Sequence, residues 1–323
     1  MVHKRAPFFA LLIAIGATVA LSDNLLASVG IVGGRSSQRA AAPPPVVKRP
    51  TTPPGKLPAM PAWLQDYAEA LDKAKTEQKM LLVHFCKDSD ANCAAIERTL
   101  TIPQLRNTLQ RYVLARVSTD AAISQQGRQV RLLEHSSFSE LRGGPGLAVI
   151  DMVHKQQPYY GHVVSAVPAF GGGLYQFRPE HVPTVLDLPP GTLSQRTMVF
   201  AVRTHPERPA STHGEADPVL IDEAALHSEH QARIRNQGHH GWGNRFQRII
   251  GRLAGRNRFG APVEIVAESW PQQNLTDACV DCVQSWRQSS GHWRNVKTHH
   301  ASYGYDIRRG ANGIWYATGI FSN

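Results

Sequence analysis

The chain is 323 residues long, 42% hydrophobic, and carries a formal charge of +10 at pH 7 from 35 Lys and Arg against 25 Asp and Glu. That hydrophobic share excludes global disorder, and the length accommodates two domains of ordinary size. The basic excess raises nucleic acid or an anionic membrane as partners. However, Lys4, Arg5, Arg35, Arg39, Lys48, Arg49 and Lys56 all precede residue 62, so a folded basic face is not implied and nucleic acid is not expected.

Met1–Arg5 is basic, and Ala6–Leu21 is an uncharged apolar run followed by SDN. Charge and length fit an export signal, the run being short of the roughly twenty residues of an ordinary membrane span. Residues 1–30 are therefore expected to be a signal peptide or an uncleaved membrane anchor. Thr18-Val19-Ala20 offers small residues for cleavage but no clean A-x-A. Either way the rest of the chain is expected outside the cytoplasm, tethered to the membrane or secreted. Residues 31–61 hold proline clusters among small and basic residues, a composition that builds no core and reads as a semi-extended linker.

From Ala62, WLQDYAEALDKAKTEQK has apolar residues near helical spacing. MLLVHF predicts a buried strand, ANCAAIERTL a helix, YVLARVSTD a second strand and GLAVIDM a third. Strand, helix and strand in that order predict a parallel βαβ unit and an α/β fold class. Residues 62–180 resemble a thioredoxin-like domain, in which a strand ending in Phe is followed by CxxC at the fifth and eighth positions beyond it. Counted from Phe85, those positions are Asp90 and Cys93. Gly144-Pro145 matches the family's cis-proline loop. The resemblance implies a disulfide oxidoreductase scaffold, but Asp90 cannot attack a disulfide; its carboxylate suits the N-cap of the following helix. Cys86 and Cys93 remain open to three readings: a structural disulfide, free thiols, or thiol–disulfide chemistry.

Residues 181–217 are rich in proline and loop residues and read as a connecting segment, with TMVFAV as a strand. In the remainder, EAALHSEHQARIRNQGHHGW predicts a helix ending at Gln237-Gly238. EIVAESW follows, then a helix through DACVDCVQSWRQ, then SSGHW, where Gly291 is expected to stop the helix. YGYDIRRGANGIWYATGIF predicts two strands around a turn. Ala224–Ser228, GHHGW, AESW, WRQSSGHW and IWYATGIF, in that order, resemble the CAP superfamily (the cysteine-rich secretory, antigen 5 and pathogenesis-related group), bacterial members above all. The resemblance over 218–323 implies an α/β/α sandwich whose cleft gathers two histidines and two glutamates. Residue by residue these map to His239, Glu268 and His292, with Ser289 where the second glutamate usually stands.

Two imidazoles and a carboxylate suit Zn²⁺ or another divalent metal with an open water position, and the same three can hold one another by hydrogen bonds. The family further implies metal in some clefts and sterols or lipids on some surfaces, with no shared reaction. The expected function is therefore binding of a small molecule, lipid or protein ligand through the cleft of His239, Glu268 and His292. The alternatives are metal-dependent hydrolysis there or thiol–disulfide exchange at Cys86/Cys93. Cys279 and Cys282 form a CxxC within a helix, read as half-buried thiols or a strained disulfide. Arg245, Arg248, Arg252 and Arg256 line one side of RFQRIIGRLAGRNRF, read as a solvated face of a helix packed on the domain.

Overall fold

A computed structural model describes residues 58–125, 127–171, 173–256 and 260–323. The signal or anchor segment 1–30 and nearly all of the linker 31–61 lie outside the described residues. The described residues all fall in one unit, and its fold class is α/β, as the alternation of strands and helices predicts.

The first sheet has the order β1-β3-β2-β6-β7. Its strands are β1 (Trp63–Leu64), β2 (Met80–Cys86), β3 (Tyr112–Ser118), β6 (Gly146–Ile150) and β7 (Val163–Pro168). β4 (Ala122–Gln125) and β5 (Arg128–Arg131) form a separate hairpin. β2 runs parallel to β3, which is the expected βαβ unit, and antiparallel to β6. The first predicted helix starts later than its apolar pattern suggests. Trp63 and Leu64 pair with β3 at the sheet edge, and α1 (Tyr67–Glu77) begins after Asp66, whose side chain accepts the Glu69 N–H at 2.8 Å. α2 (Ala91–Leu100) is capped by Asp90, which accepts the Cys93 N–H at 2.9 Å, as read from sequence. α3 (Arg106–Leu109) precedes β3. No cis peptide occurs among the described residues, so Gly144-Pro145 is a trans step and not a cis-proline loop.

Residues 181–217 contain α4 (His181–Leu186), α5 (Leu193–Arg203) and β8 (Glu215–Ala216). The predicted strand TMVFAV is thus the middle of a helix. Thr192 and Gln195 form a reciprocal capping box that starts α5, and this local signal overrides the β-propensity of Thr, Val and Phe.

The second sheet has the order β8-β10-β11-β9, with β9 (Val263–Glu268), β10 (Ser302–Arg309) and β11 (Trp315–Ser322). β10 and β11 are the predicted antiparallel pair. On one face lies α6 (Pro218–Ile234), started by Asp217 and Pro218 and ended by Arg235 in the left-handed region, three residues before the predicted Gly238. α7 (Trp242–Ala254) packs outside α6 through Leu220, Ala224, Ile249 and Leu253. On the other face lie α5, α8 (Leu275–Gln288) and α9 (Ser290–Lys297). Gly291 does not stop a helix: α8 ends at Gln288, Ser289 is extended, and Gly291 and His292 sit in the first turn of α9.

α5 unites the two halves. Met198–Val202 join one apolar core with Leu82 and Val167 of the first sheet and Ile96 and Leu100 of α2, and with Tyr303 and Tyr305 of the second sheet and Trp286 of α8.

Candidate functional site

Three elements meet at the end of α6. His227, buried on α6, bonds the Gly238 carbonyl at 2.8 Å, and Gln231 accepts the Gly238 N–H at 3.1 Å. These two bonds fix the loop after α6. Gly241 then turns the chain with φ +62, a conformation costly for other residues, and starts α7. The result presents His239 toward β9, where its Nδ1 lies 2.9 Å from Glu264 Oε1. Arg245, from the first turn of α7, grips the same carboxylate with both terminal nitrogens, one at 2.7 Å from Oε1. The His292 ring comes in from α9, its centroid 6.2 Å from that of His239.

Burial pushes the Glu264 carboxyl up, but the His239 and Arg245 hydrogen bonds and the nearby His227 outweigh it and hold it below the usual glutamate range. The carboxylate therefore accepts from His239 Nδ1–H, leaving Nε2 free to bind. Burial, and secondarily His239, pull His292 down, so this imidazole is neutral at physiological pH. Burial pulls His227 down to about 4, against the raising influence of Glu264.

The expected trio is thus only partly assembled. His239 and His292 come together, whereas Glu268 makes no hydrogen bond or ion pair with either. Glu264 and Glu268 share a face of β9 by strand alternation, but four residues separate them by about 13 Å, and His239 pairs with the former. Glu264 is the carboxylate of this site. Because Arg245 already occupies both its oxygens, it is a poor further metal ligand. Ser289 lies between α8 and α9 and adds no carboxylate, as mapped.

A second cluster lies in the first sheet. Leu82, His84 and Cys86 share the face of β2 that α2 covers, and Cys93 on α2 meets them. Among the described residues, His84, Cys86 and Cys93 are the one group of three or more His, Cys, Asp or Glu whose ligand atoms all lie within 4.8 Å of one another, and such a cluster could hold a metal ion. Both cysteines are buried free thiols. Burial raises both, Cys93 the further, so neither is an available nucleophile at neutral pH.

The other features resolve as packing. Cys279 and Cys282 are free thiols, wholly rather than half buried in the core, and burial lifts both well above the ordinary thiol range. The arginine face along α7 is solvent-facing, as read from sequence, except for the buried Arg245, but its members are paired with carboxylates. Besides Arg245 on Glu264, Arg248 and Arg252 converge on the buried Glu223 at 2.6 and 2.9 Å, and Arg256, just beyond the helix, lies 3.9 Å from Asp217. His300 bonds the Asn295 carbonyl and stacks on Phe321. A polar groove of about 840 Å³ beside α4 and the end of α5, lined by Arg178, Asp187, Arg203, His205, Arg208 and His213, touches neither site.

No family model matches the chain, and no curated protein or solved structure matches it significantly. No helix of the described residues is long and apolar enough to cross a membrane.

Proposed function

We propose that the chain is an exported, membrane-tethered binding protein in which a CAP-like half engages its ligand or partner through His239 and His292, and a thioredoxin-like half serves as a redox-inactive support. The observation that carries this reading is the convergence of His239, Glu264 and His292 from three separate elements. Its carboxylate–imidazole pair orients one ring outward, beside a second ring that burial keeps neutral. The strand order β1-β3-β2-β6-β7, with β6 antiparallel to β2, supports the thioredoxin-like resemblance. Helices on both faces of the second sheet support the CAP-like one. A shared reaction is not part of the proposal, because Glu264 is locked by Arg245 and has no freedom to act as a base.

The test uses Zn²⁺ as an imidazole probe on the full chain carrying Cys86→Ser and Cys93→Ser, followed by calorimetry. Uptake that His239→Ala/His292→Ala abolishes supports one ligand-accepting site built from both rings; no uptake, or uptake unchanged by the substitutions, rejects it. Export is tested separately by a reporter fused after residue 61, which should be active outside the cytoplasm; activity confined to the cytoplasm would reject that part.

A further inference from the structure

His84 is the anomaly of the first sheet. It stands fully buried in the middle of MLLVHFC, and neither ring nitrogen has a hydrogen-bond partner. Buried polar groups in folded proteins nearly always have one, and a buried imidazole without one is a group built for something else. The atoms around it are suited to a metal. Cys86 lies two residues on, on the same strand face, and Cys93 faces both from the first turn of α2. Glu97, one turn further along α2, places Oε1 3.9 Å from His84 Nδ1 and 3.9 Å from Cys86 Sγ.

We propose that His84, Cys86, Cys93 and Glu97 form a four-coordinate site for a thiophilic divalent cation of the zinc class. Donors bound tetrahedrally at about 2.0–2.3 Å lie about 3.3–3.8 Å from one another. The three ligand atoms within 4.8 Å of one another need contract by no more than about an ångström, and Glu97, outside that trio but 3.9 Å from two of its members, must turn in from the rim to complete the arrangement. One nitrogen and two sulfurs select zinc-like ions over magnesium or calcium, which prefer oxygen. On binding, each thiol releases its proton to solvent and donates as thiolate, while His84 and Glu97 donate lone pairs. Two thiolates, one carboxylate and a dication sum to one negative charge. Arg116 supplies the compensating positive charge: its Nε donates to Glu97 Oε1 at 2.8 Å and its Nη2 lies 3.6 Å from Cys86 Sγ.

Access is through the same residues. The two thiols are closed off, but the Glu97 side chain is 41% exposed beside Arg116 and Asp88, so the ion enters past the carboxylate. Four protein donors close the coordination sphere, which makes the site structural, pinning α2 to β2 where a thioredoxin-like protein would hold its dithiol. Asp90 fits this role, since it caps α2 and so fixes the turn that carries Cys93.

The test is cobalt substitution in the full chain, reduced, stripped of metal and carrying His239→Ala/His292→Ala so that the His239/His292 site contributes nothing. One equivalent of Co²⁺ should give thiolate-to-metal charge-transfer absorption and the intense visible bands of tetrahedral cobalt, both displaced by Zn²⁺. Cys93→Ser should abolish them, Glu97→Gln should weaken affinity at least about tenfold, and Cys282→Ala should leave them intact. If Cys93→Ser does not fold, zinc-edge X-ray absorption of the unsubstituted chain decides, with two sulfur neighbours at about 2.3 Å expected. No charge-transfer band, a band lost with Cys282→Ala but kept with Cys93→Ser, or a zinc shell without sulfur would overturn the site.

Discussion

Arg245 and Glu264 close a two-pronged ion pair between α7 and β9, and His239 shares the carboxylate from the solvent side. Both partners of the pair are largely buried. The carboxylate is thereby a fixed support for an imidazole, and the pair also ties the loop that displays the ring to the sheet beneath it.

Glu264→Gln should destabilise the protein by about 3 kcal/mol, because it leaves the buried Arg245 without its counter-charge. Urea unfolding at neutral pH measures this. The folded carboxyl is held below the glutamate range, so its contribution is whole above an unfolded value of about 4.3 and fades as pH falls through the lower folded one. The variant should lack that acid loss.

His227 adds a second, separable pH dependence. It titrates at about 4 when folded and near 6.5 when unfolded. Between those values the unfolded chain takes up a proton that the folded chain refuses. Stability should therefore decline as pH drops from about 6.5 to 4, by up to about 1.4 kcal/mol per pH unit. His227→Gln should flatten that slope in thermal unfolding recorded across the range; an undiminished slope would assign it to other groups.

Two glycines should respond oppositely to alanine. A methyl at Gly304 on β10 would meet the α6 backbone at Leu220 and Ile221 within 2.4 Å, and backbone cannot step aside. Gly304→Ala should cost about 3 kcal/mol, the upper end of overpacking. Gly251, inside α7, has nothing within 4 Å of the same position, and Gly251→Ala should raise stability by about 0.5–1 kcal/mol. Paired melting curves test both.

Insulin reduction by the unmodified chain should be negligible, since its two candidate thiols are buried and pushed upward in pKa. Asp90→Ala should leave that unchanged while weakening α2 by about 1 kcal/mol through the lost cap. Robust turnover, lost with Cys93→Ser, would overturn the inactive reading.

What was legible in the sequence was local. The apolar run Met80–Cys86, Asp90 ahead of a helix and the turn between Arg309 and Trp315 all announce themselves within a few residues. α5 was equally local and was missed, because Thr192 and Gln195 signal a helix start while the Thr-Met-Val-Phe that follows favours a strand. Glu264 was another matter. EIVAES offers two carboxylates on one strand face, and only the reach of His239 from a loop fixed by His227 decides between them. Gly291 misled because Ser289, with ordinary extended geometry, makes the break two residues earlier. His84 carried a usable signal, a lone polar residue within a buried-type strand, two positions from a cysteine, but it was hidden in a run read for its hydrophobicity.

The core that α5 shares between the sheets has a thermodynamic consequence. Because Met198–Val202 belong to both halves at once, neither sheet can melt without stripping the same helix from the other. An occupant of either site, whether a cation between β2 and α2 or a ligand beside His292, should therefore protect the whole unit from global opening, by RT ln(1 + [L]/Kd). Slowing of amide exchange at Tyr305 by an ion held at Cys93 would be the signature, a reciprocal energetic coupling that requires no change of shape.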